Sequence, residues 1–141
     1  MLSKFNQLAA LVMVIAPLFA DAMPAPAAQA LEERFDAHQG DITFYTPGLG
    51  ACGQVNTADQ LVVAVNAAVF DSFPGATANP NLNPICGHQL RVNFNLHTII
   101  TTVVDRCVAC GPNDIDLSPA AFEQFAPLST GRVHDVNWRI L

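Results

Sequence analysis

The sequence has no basic cluster: six Lys and Arg stand against twelve Asp and Glu among 141 residues, for a net charge of −6. That absence argues against nucleic acid and against anionic membrane surfaces, both of which are held by clustered cations. Acidic polymers such as pectin would be mildly repelled, so neutral glucans or chitin fit the charge better. Aromatics other than Phe are scarce, with one Trp and one Tyr beside nine Phe. A broad stacking platform for sugars cannot be built from them. The sequence contains no Asn-x-Ser/Thr acceptor for N-glycosylation, no internal repeat, no Gly-rich phosphate loop and no Gly-x-Ser-x-Gly elbow. His38, His88, His97 and His134 show no His-x-x-x-His spacing and read as leader, surface or strand residues, so no metal or other cofactor is expected.

Long apolar runs are equally rare. Leu8–Ala20 is the only one, and it follows Lys4 and precedes Ala20-Asp21-Ala22, so residues 1–22 read as a secretory signal peptide. The run falls short of the ~20 apolar residues that a membrane span needs. Residues 23–40 are Pro/Ala-rich and then charged, which predicts a disordered leader or propeptide. One folded domain is expected over 41–141, exported, extracellular and monomeric, with no membrane contact once the signal is removed. Losing Lys4 and Asp21 with the signal leaves residues 23–141 at −6.

The four cysteines, Cys52, Cys86, Cys107 and Cys110, all fall in that domain. An even number in a small exported chain predicts two disulfides, for which three pairings are open. Cys107-x-x-Cys110 would suit a thioredoxin-like redox pair only at a helix start, and Gly111-Pro112 opposes one. Four-cysteine zinc binding usually pairs two such knuckles, whereas Cys52 and Cys86 stand alone. Asp41–Thr46, Gln60–Val65, Gln89–Phe94, Thr98–Val104 and Val133–Leu141 carry alternating or β-branched strand patterns. Val69–Phe70 reads as apolar strand, with Ala64–Ala68 equally able to form a helical turn. Phe73–Pro84, with three prolines, is a surface loop. Ser118 followed by Pro119 predicts a helix start, running to about Phe125. Many short strands with one short helix predict a small, mainly β barrel.

Asp114 and Asp116 alternate in a short predicted strand, Asp114–Leu117, so both should share one face. Their mutual repulsion and partial burial would raise one pKa. Such a carboxyl can donate a proton to a glycosidic oxygen or accept from sugar hydroxyls. It can equally serve only to cap the turn and helix beside it.

Val103–Phe122 together with the Gly-Ala-Cys-Gly turn at Gly50–Gly53 resembles the disulfide-stapled double-psi β-barrels of expansin, barwin and rare-lipoprotein-A-like proteins. The single-domain format is most similar to fungal loosenins. The resemblance implies a six-stranded double-psi β-barrel with one or two short helices, and the pairing Cys52–Cys86 with Cys107–Cys110. It also implies that Asp116 is the functional acid of a groove in which Thr43, Tyr45, Asp105 and Asp114 bind glycan. Non-hydrolytic loosening of cell-wall polysaccharide (cellulose, chitin or xylan) is the function it favours. A protein-binding module on the same barrel, such as a cysteine-protease inhibitor or plant-interaction effector, is the alternative. A lytic activity on glycan ranks third, because hydrolysis needs a second placed carboxylate.

Overall fold

Alternating apolar residues put one face of each strand inward. In the computed structural model, which describes residues 37–141, six strands use that face to close a barrel. The strands are β1 (His38–Phe44), β2 (Val62–Asn66), β3 (Gln89–Phe94), β4 (His97–Cys107), β5 (Ile115–Leu117) and β6 (Val133–Ile140). Their order around the barrel is β1-β5-β2-β4-β3-β6. Two pairings, β1 with β5 and β2 with β4, are parallel; the others are antiparallel. Two short helices, α1 (Ala67–Ser72) and α2 (Pro119–Phe122), sit between strands. The fold is the expected double-psi β-barrel, and the expected signal peptide lies outside the described residues, as does most of the leader.

The core holds Ile42, Val63, Val65, Leu90, Val92, Val103, Ile115, Leu117, Val136 and Trp138, all essentially without solvent contact. β4 pairs on both sides, with β2 and β3, as its run of β-branched residues suggests. Trp138, on the apolar face of β6, is fully enclosed and donates its indole N–H to the Asn113 carbonyl at 2.7 Å. β1 begins at His38, three residues before the expected Asp41. His38 pairs with Trp138 across the ladder and stacks on its ring at 4.1 Å, a long-range contact that no local pattern announces. Gly40 makes this junction possible. A Cβ there would stand 2.1 Å from the Asn113 carbonyl oxygen.

Three other boundaries differ from expectation. Val69–Phe70 belongs to helix α1, because the Asn66 side chain accepts from the Val69 N–H at 3.0 Å and caps it. Ser118 caps α2 as predicted, but the α-helix ends at Phe122, and Phe125 follows in a tighter turn, half-buried against the core. Strand β5 starts at Ile115 and not at Asp114. The disulfides are Cys52–Cys86 and Cys107–Cys110.

Candidate functional site

The outward faces of four neighbouring strands line up one row of side chains. Thr43 on β1 pairs in register with Asp116 on β5. Asp116 pairs with Ala64 on β2, and Ala64 pairs with Asp105 on β4. The row therefore reads Asp105, Ala64, Asp116, Thr43 across the barrel wall. Aligned positions two strands apart lie roughly 9–10 Å from one another, so the two carboxylates flank a floor made by a methyl group. Asp105 joins the row because the β2–β4 register shifts between Val63 and Ala64, where Val104 is an extra residue. A bulge of this kind re-aims the next side chain.

Each carboxylate is held differently. Asp116 Oδ1 accepts the Thr43 hydroxyl at 2.8 Å. Asp105 Oδ1 accepts the N–H groups of Ala51 at 2.7 Å and Arg106 at 2.8 Å, so that oxygen anchors the glycine-rich turn. Gly50 is required there, since a Cβ would meet the Val104 carbonyl at 2.5 Å and the Asp105 side chain at 3.2 Å. Each carboxylate keeps its second oxygen without a hydrogen bond among the described residues. Burial pushes the Asp116 carboxyl up; the Thr43 hydroxyl and the Arg132 charge pull it down without overcoming that, and the Asp105 charge adds to the rise. Tyr45, just past β1, donates its N–H to the Leu117 carbonyl at 3.0 Å. Its hydroxyl is buried and makes no hydrogen bond among the described residues. Burial, then the charges of Asp105 and Asp116, hold its proton on well above the usual phenol range.

Asp114 does not stand beside Asp116, contrary to the alternation expected for 114–117. It falls in the turn before β5, where its Oδ1 accepts the Asp41 N–H at 2.8 Å and its Oδ2 meets Arg132 at 3.4 Å. The charge that raises Asp116 therefore comes from Asp105, across Ala64. Arg132 also pairs with Asp41 at 3.0 Å, which His134 contacts at 2.8 Å. Arg106 pairs with Asp71. Neither arginine is a free surface charge. These pairs join positions 18 to 93 apart in sequence, and nothing in their local spacing signals them. Ala64, the floor, was visible as the one small residue in the Val62–Val65 run.

The edges of the row are apolar and rigid. Leu49 and Val55 face each other across a one-bridge hairpin and are 75% and 74% exposed. Cys52–Cys86 and the Asp105 anchor tie that hairpin down. Val108, in the Cys107–Cys110 loop, is 76% exposed. By contrast, no Phe, Tyr or Trp among the described residues is exposed.

No family model matches the chain. A papain inhibitor from Streptomyces mobaraensis is 40% identical over 105 residues, 72% of this chain and 70% of that protein. The solved Streptomyces papain inhibitor superposes with a TM-score of 0.68 at 40% identity, covering 74% of this chain and 94% of that one. The chain belongs to the double-psi β-barrel family of these proteins. A second member with sequence similarity to this barrel is an allergen Asp f 7 homolog from Arthroderma benhamiae, 31% identical over 116 residues. This barrel spans 72% of our chain but only 38% of that protein. A Clavibacter michiganensis expansin solved with cellohexaose shares the barrel fold at 23% identity and a TM-score of 0.59, over 74% of this chain and 50% of its own. No helix among the described residues is long and apolar enough to cross a membrane.

Proposed function

We propose that this barrel is a secreted, non-enzymatic binding module that inhibits papain-like cysteine proteases. The 40% identity to a papain inhibitor, across nearly the whole of its solved chain, carries this reading. The surface agrees with it. Exposed aliphatic side chains sit on loops tied by disulfides, so little conformational entropy is lost when a partner covers them. A polysaccharide ligand would instead favour fully exposed aromatic faces, whereas the aromatics of the described surface are at most partly exposed.

Titration of the purified chain against papain tests the proposal, with substrate hydrolysis as the readout. Wild type should abolish cleavage at a one-to-one ratio. Leu49→Ser/Val55→Ser should weaken inhibition about tenfold or more, as for central interface residues, while Asp116→Asn stays within about twofold. Unimpaired papain with a folded wild type would overturn the reading.

The row itself favours a second reading, glycan binding without hydrolysis. Asp116 would accept sugar hydroxyls beside Thr43, Tyr45 and Asp105, with Asp114 acting only through Arg132. Pull-down on cellulose, chitin and xylan, with released sugar assayed in parallel, separates the two readings. Retention without released sugar, lost in Asp116→Asn, would support it. No retention on any of the three would remove it.

A further inference from the structure

The Cys107–Cys110 bridge lies against Asp116 of the row. The two sulfurs and a carboxylate oxygen of Asp116 all lie within 4.8 Å of one another. Asp116 Oδ1 is oriented by the Thr43 hydroxyl at 2.8 Å, and Oδ2 makes no hydrogen bond among the described residues. Val108 and Ala109, the two residues inside the bridge, are exposed, and of the two cysteines Cys110 is the less enclosed, so a reductant reaches the bridge from the Cys110 side. The Cys-x-x-Cys spacing is that of one zinc knuckle.

We propose that reduction of Cys107–Cys110 turns this corner of the groove into a three-ligand site for a thiophilic divalent cation of the Zn²⁺ type. As an oxidised disulfide, the pair offers no thiolate and binds no metal. A dithiol reductant supplies two electrons and two protons: the S–S bond breaks, two thiols form, and the reductant closes to its own disulfide. Zn²⁺ then displaces both thiol protons to solvent and is held by two thiolates and the Asp116 carboxylate. Zinc–sulfur bonds of about 2.3 Å and zinc–oxygen bonds of about 2.0–2.2 Å place tetrahedral ligand atoms roughly 3.5–3.8 Å apart. The released sulfurs need only separate from bonding distance to that spacing, and Asp116 already lies within reach. Thr43 supplies the outer hydrogen bond that orients a ligating carboxylate. The fourth position is left for water. This site differs from the four-cysteine arrangement that the sequence argues against, because Cys52 and Cys86 play no part in it.

The test uses the full chain, reduced without oxygen, with Co²⁺ as a spectroscopic probe and Zn²⁺ as competitor. Circular dichroism and amide NMR spectra follow the fold in every sample. The expected result is one Co²⁺ per reduced chain, with thiolate charge-transfer and tetrahedral d–d absorption that Zn²⁺ abolishes and oxidised protein never shows. Cys107→Ser/Cys110→Ser should remove the absorption, and Asp116→Asn should weaken Co²⁺ binding about tenfold or more. Binding that survives in Cys107→Ser/Cys110→Ser would put the metal on Cys52 and Cys86 and overturn the proposal. Equal affinity in Asp116→Asn would remove the third ligand. A reduced chain that unfolds, or stays folded and binds nothing, would also overturn it.

Discussion

At the scale of single residues, two positions govern how the barrel tolerates change. Gly40 lets β1 pass under the Asn113 carbonyl, so Gly40→Ala should cost about 2–4 kcal/mol through forced displacement of backbone. Urea unfolding of the variant beside wild type measures this; an unchanged midpoint would contradict the close approach. Asp116 works in the opposite sense. Its carboxyl is raised above the ordinary 3.8 by burial. Between 3.8 and the raised value the native state keeps a proton that the unfolded chain has released. Stability from this group is therefore full at low pH and lost as pH rises through that window. Asp116→Asn keeps an acceptor for Thr43 and removes the loss, so its Tm should exceed that of wild type at pH 7. The difference should vanish near pH 3. Thermal scans across pH decide it, and a lower Tm at neutral pH would show that the charge is stabilising.

At the scale of elements, the loops depend on anchors outside themselves. The Cys52–Cys86 bridge closes a separation of 34 residues, worth about 3–4 kcal/mol in the chain-entropy model. Cys52→Ala/Cys86→Ala should lose about that much in denaturant unfolding. Cys107–Cys110, with a separation of 3, contributes little by the same mechanism. Asp105→Ala removes the acceptor for the Ala51 N–H, and hydrogen exchange at that amide should accelerate about tenfold or more as the hairpin loosens. Strands whose alternation is local, such as Gln89–Phe94, were legible to the residue in the sequence. The start of β1 was not, because its first residues are held by β6, far along the chain. The alternation of Asp114 with Asp116 misled for a related reason: Asp114 is drawn into a turn by Asp41 and Arg132. The bulge that brings Asp105 into the row exists only once β2 and β4 pair.

At the scale of the whole molecule, the barrel has no free edge. β6, the last strand in order, hydrogen-bonds to both β1 and β3 and completes the ring. Its identity as a strand was plain from Val136, Trp138 and Ile140; its role as the closing stave was not, since a periodic pattern does not name its neighbours. A chain ending at Arg132 should leave two unpaired edges and an uncovered core, and should elute from size exclusion as aggregate. Because the sealing strand is also the last to be synthesised, no earlier length of chain holds the complete fold. A ribosome would have to deliver the barrel through β6 before the ring could shut, which leaves the first five strands open to proteases until that strand arrives.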